Sequence, residues 1–148
     1  MSLNRPFATR FIFVAAGAAA CLIAGVAHAQ AVIHVTVQND SPRAVSRVSS
    51  SAGTAQETAP ASRIGVGSND RYSVMARDAG PLQGSATYAS ADDRYQCRFV
   101  YAVTPRGGDR WGFEHSGTSV GPSPVTCRVT MQSSDARAGT QSLLLTIR

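Results

Sequence analysis

The sequence predicts an all-β protein, a small single-domain β-sandwich, with a barrel as the second choice. Three observations point there. Apolar and polar residues alternate over short stretches, as half-buried strands require. Clusters of Gly, Pro, Asn, Asp and Ser punctuate those stretches. No segment carries a convincing helical period. An N-terminal signal peptide and one core-facing disulfide complete the expectation.

The signal peptide covers residues 1–29. Arg5 and Arg10 supply a positive start without acidic residues, an apolar run from Phe11 reaches Ala27, and Ala27-His28-Ala29 offers small side chains at a cleavage site. The run is short for a membrane span and contains Gly17 and Gly25. Cleavage would leave a domain of 119 residues, 30–148, long enough to bury its own core and with no transmembrane segment. The protein is expected to be exported, to a periplasm or beyond.

The strands follow in order. In 31–37, Ile33, Val35 and Val37 share one face, and Val32, His34 and Thr36 the other; Asn39-Asp40-Ser41-Pro42 ends the run. Residues 43–49 read as a weak edge strand and 49–62 as a loop or loose crossover. Order returns at Ile64 and Val66. Tyr72, Val74 and Ala76 point inward from the next strand, then Ala86 and Tyr88 from a short one. The clearest segment, 95–103, sets Tyr95, Cys97, Phe99, Tyr101 and Val103 on one face. The strand at 111–116 answers with Trp111, Phe113 and His115. Residues 125–131 align Val125, Cys127, Val129 and Met131. After a loop over 132–140, Leu143, Leu145 and Ile147 form a last strand. That makes about eight strands.

Cys97 and Cys127 are the two cysteines left after cleavage, and both fall on apolar faces. In an exported chain this predicts a disulfide turned to the core. Register follows for one hairpin. A three-residue loop, Arg106-Gly107-Gly108, would put Val103 opposite Trp111, Tyr101 opposite Phe113 and Phe99 opposite His115. Arg98 would then lie diagonal to Glu114. The shared face makes the aromatics core. Trp111, beside the Gly-rich loop, is the member placed to reach a rim.

Charge excludes little. All 14 basic residues are arginine, two of them in the leader. The arginines are scattered, as in a chain from a GC-rich bacterial genome, so no nucleic-acid partner is expected. His34 and His115 show no metal-ligand spacing. No serine sits in a nucleophile motif. Asp92-Asp93 lacks the oxygen-ligand pattern of a calcium loop, and the other aspartates suit turns. Asn39-Asp40-Ser41 matches a glycosylation sequon, but it reads as a turn before Pro42. No catalytic residue, metal or cofactor is expected.

The function that remains is an exported, non-catalytic binding domain. Its partner would be a protein or a surface ligand such as a glycan or lipid. Candidate rim residues are Trp111, His115 and Arg106, and the loops 49–62 and 117–124 are the first places to look. One subtype is a periplasmic inhibitor or immunity-like protein. A second reading is a pilus-like subunit that donates its first strand, since residues 32–37 follow closely on the new N-terminus. A third is a membrane-active module. Across the whole domain, the order of strands, turns and late aromatics is similar to that of the aegerolysin family of small lipid-binding β-sandwiches. No motif residue carries that likeness, and the family's function is not carried over.

Overall fold

A computed structural model describes residues 30–53 and 55–148. The expected leader, 1–29, lies outside the described residues. Every regular element described is a strand. They are β1 (Val32–Asn39), β2 (Val45–Ser51), β3 (Gln56–Glu57), β4 (Arg63–Ile64), β5 (Asn69–Met75), β6 (Leu82–Ser90), β7 (Gln96–Pro105), β8 (Trp111–Ser119), β9 (Cys127–Asp135) and β10 (Thr140–Ile147). Two sheets of five strands, β3-β5-β1-β10-β9 and β4-β2-β6-β7-β8, face each other as a sandwich and do not close into a barrel. The described residues form ten strands where about eight were expected. The segment 49–62 completes β2 and supplies β3, and residues 63–64 form β4; the two-residue pieces are too short to alternate visibly.

Alternation builds the core. Ile33, Val35 and Val37 of β1 and Leu143, Leu145 and Ile147 of β10 are all at most 1 % exposed. Phe99 and Val103 of β7 and Tyr88 of β6 meet them from the other sheet. Burying a side chain of this size contributes about 1.5–3 kcal/mol. β1 lies in the interior of its sheet, parallel to β10 and antiparallel to β5, with both edges paired along its length. The strand-donation reading required a first strand free to leave. This one is held on both sides.

Cys97 and Cys127 form the expected disulfide, with Cα atoms 5.5 Å apart. Cys97 is fully buried and Cys127 packs against the core, so the bridge joins the two sheets through β7 and β9.

The β7–β8 register departs from expectation by one pleat. Val103 faces Phe113, Tyr101 faces His115, Phe99 faces Gly117 and Pro105 faces Trp111. The loop is five residues, closed by the Arg106 N–H donating to the Arg110 carbonyl at 2.7 Å. Gly108 and Asp109 both have left-handed backbone, φ 68° and 55°, so Asp109 turns the chain instead of extending β8. A shift of two keeps every side chain on its expected face. It does change partners: Arg98 faces Thr118, while Glu114 faces Ala102 and receives Arg106 at 3.2 Å. Met131, expected inward, is 42 % exposed on the edge strand β9. Tyr95 precedes β7 and is half-buried, with the Arg43 guanidinium 6.0 Å from its ring centre.

Candidate functional site

One end of the sandwich brings together the β7–β8 loop, the β9–β10 turn and the start of β1. Trp111 sits at the junction. Its backbone N–H donates to the Ala136 carbonyl at 2.8 Å, tying the two hairpins to each other. Its indole lies over Gly139, where a Cβ would fall 2.9 Å from Nε1 and Cε2. Gly139 also has φ 68°, so the turn and the ring select the same residue. The indole is half-buried and packs on the edge of the core. It is therefore a rigid rim residue with part of its surface in solvent.

Arginines flank it. Arg110 immediately precedes the indole in the chain, and Arg137 immediately follows the carbonyl that Trp111 contacts. Both are exposed. Neither forms an ion pair among the described residues, where the three pairs are Arg43–Asp92, Arg47–Glu57 and Arg106–Glu114. The neighbouring carboxylate, Asp135, accepts the N–H groups of Ala138 and Arg137 at 3.0 and 2.9 Å, and these bonds hold it below the usual carboxylate range. It is thus occupied within its own turn.

The three residues expected at a rim part company. Trp111 is there. Arg106 folds its stem over Gly112 and spends its charge on Glu114. His115 is half-buried on β8, opposite Tyr101 and four residue pairs further from the loop than Trp111. Arg110 and Arg137 escaped the sequence reading, because scattered arginines become neighbours only when two hairpins meet.

The two loops singled out by sequence behave differently. Ser51, Ala52, Gly53 and Ala55 form one wall of an open cleft of about 630 Å³, which is also lined by Gln83, Ser85 and Arg98. Residues 120–123 are pinned instead: the N–H groups of Val120 and Ser123 donate to the carbonyls of Gln96 and Arg94.

His34 lies on the outer face of β1, and its Nδ1 is 3.0 Å from the Ser73 hydroxyl on β5. No carboxylate bonds to the imidazole among the described residues, so nothing orients the ring as a base in the way a triad does. Among the described residues no three His, Cys, Asp or Glu side chains gather as a metal site. Asp92 accepts the Ser90 hydroxyl within its turn, whereas Asp70 lies in β5 rather than a turn and accepts the Ala61 N–H. Asn39 of the sequon is fully buried. Its amide donates to the carbonyls of Arg43, Ile64 and Gly65, so it fastens the loops at the opposite end of the sandwich.

No family model matches the sequence, and no curated protein matches it. Among solved structures, the fold is similar to that of a protein described as the lipid binding protein Nakanori. The TM-score is 0.56 with 11 % sequence identity, over 79 % of this chain and 70 % of the other. At that identity the likeness is one of fold. Among the described residues no helix is long and apolar enough to cross a membrane.

Proposed function

We propose that this is an exported, non-catalytic domain that binds the headgroup surface of a lipid membrane through the end bearing Trp111. The observation that carries the reading is the composite rim: a fixed indole at the meeting of two hairpins, with Arg110 and Arg137 adjoining it along the backbone and outside the three ion pairs among the described residues. An indole suits the membrane interface because one part of it is apolar and the other donates a hydrogen bond. A guanidinium matches a phosphate with two parallel N–H bonds. The likeness in fold to a lipid-binding protein supports the same choice over a protein or glycan partner.

The physics sets the strength. Each arginine near an anionic surface contributes about 1 kcal/mol, falling off within a Debye length. Binding should therefore be reversible and weakened by salt. The test is co-sedimentation with vesicles of phosphatidylcholine with and without phosphatidylglycerol. The wild type should pellet with the anionic vesicles, and the double variant Arg110→Ala/Arg137→Ala should lose about 10- to 30-fold in affinity. Equal pelleting of the two proteins, or none by either, would remove the rim from consideration.

A further inference from the structure

The outer face of the first sheet carries polar side chains that the rim does not use. Alternation buries Val35 of β1 and Tyr72 of β5, so His34, Thr36, Arg71 and Ser73 turn outward. The two strands run antiparallel, with His34 opposite Ser73 and Thr36 opposite Arg71. The four side chains are therefore adjacent cross-strand pairs. Thr58, just beyond β3, adds a third side. Its N–H donates to the Ser73 carbonyl at 2.9 Å, and its hydroxyl accepts the Ser73 N–H at 2.7 Å. These residues line an open hollow of about 260 Å³. Sites for drug-sized ligands run to about 300–1,000 Å³, so this one suits a small group.

Each of the five outward side chains can donate a hydrogen bond, and none of them is acidic. Arg71 is exposed and forms no ion pair among the described residues. The two carboxylates that adjoin the hollow in the chain are engaged elsewhere. Glu57 pairs with Arg47, and Asp70 accepts the Ala61 N–H at 2.7 Å. His34 Nδ1 is 3.0 Å from the Ser73 hydroxyl. With that hydroxyl donating, the ring proton resides on Nε2, which becomes a donor.

Chemistry selects the ligand. A cation would meet the Arg71 guanidinium with no lining carboxylate to balance it. A carboxylate is planar and is satisfied by a single guanidinium fork. A phosphate monoester carries about −1.5 to −2 charge at pH 7 and three strong acceptor oxygens. It can take the Arg71 fork, His34 Nε2 and a threonine hydroxyl together, from both strands. We propose that the hollow between β1 and β5 is a second ligand site, specific for a phosphate monoester group. The proposal does not rest on lipid binding by the Trp111 end.

The test follows the imidazole resonances of the folded protein by NMR as inorganic phosphate replaces chloride at constant ionic strength. His34 should shift saturably, while His115, on the other sheet, stays still. Arg71→Ala, at an exposed position, should weaken the effect about 10-fold or more. Arg128→Ala, which removes the same charge from β9 of the same sheet, should leave it unchanged. A second arm separates a lipid phosphate from a free one. The Arg110→Ala/Arg137→Ala protein is co-sedimented with phosphatidic acid vesicles, with and without Arg71→Ala. Pelleting that needs Arg71, without a response to inorganic phosphate, supports the site as one for a lipid-borne monoester. Absence of an Arg71-dependent response in both arms overturns the proposal, and so does equal weakening by Arg71→Ala and Arg128→Ala. Failure of the rim variant to change vesicle binding would count against the rim alone.

Discussion

Gly84 and Tyr101 occupy facing positions on β6 and β7, and the ring of one lies where a side chain of the other would go. A Cβ at Gly84 would also come within 3.0 Å of the Ser51 carbonyl. Neither the backbone nor a buried ring can yield cheaply. Gly84→Ala should therefore destabilise the domain by about 1–3 kcal/mol, read from chemical denaturation. The same rings make an alkaline prediction. Desolvation by burial raises the Tyr72, Tyr88 and Tyr101 hydroxyls above their ordinary value of 10.0. The folded state then keeps protons that the unfolded chain releases. Stability from these groups is fully present below pH 10 and is lost as pH climbs past it toward the raised folded values. Unfolding above pH 10 should release up to three protons per molecule, visible as a cooperative rise in phenolate absorbance coincident with loss of structure. Independent titration of the phenolates without unfolding would refute it. Alternation alone put these rings inside. The placing of the Arg47 guanidinium 5.8 Å from the centre of the Tyr72 ring was not legible, because it depends on how one sheet lies on the other.

At the scale of elements, long alternating strands could be read and short ones could not. β1, β7 and β10 were plain because each shows several inward positions in sequence, such as Cys97, Phe99, Tyr101 and Val103. β3 and β4 contribute two residues each, held by partners elsewhere in the chain. The β7–β8 hairpin shows the middle case. Side-chain parity was legible from Tyr101 and Phe113, while loop length turned on the left-handed backbone of Asp109. The rim depended on the same loop and on its contact with the β9–β10 turn, so Trp111 could be read as a rim residue but its arginine neighbours could not. The cysteines were fully legible, because both lie on apolar faces of strands. Their bridge closes a loop of separation 30. Cys97→Ala/Cys127→Ala should cost about 3–4 kcal/mol, seen as a lower denaturation midpoint. A change below about 1 kcal/mol would mean that the sheet contacts already restrict the unfolded chain as much as the bridge does.

For the whole molecule, the two ends of the sandwich do different work. One end is locked: Asn39 fastens its loops, and the residues after β8 are pinned to Gln96 and Arg94. The other presents two hairpins, an indole and two exposed arginines that form no ion pair among the described residues, on a body whose first strand is paired on both edges. That asymmetry favours surface binding by one end over assembly by strand exchange.

Trp111 is the sole tryptophan of the chain, so its fluorescence reports on the rim alone. The direct measurement is a titration of the folded protein with anionic vesicles, with and without brominated acyl chains. Docking as proposed shifts the emission to shorter wavelength and brings quenching by the brominated lipid, both reversed by salt. An emission spectrum unchanged at saturating vesicle, with the protein still folded, would contradict it.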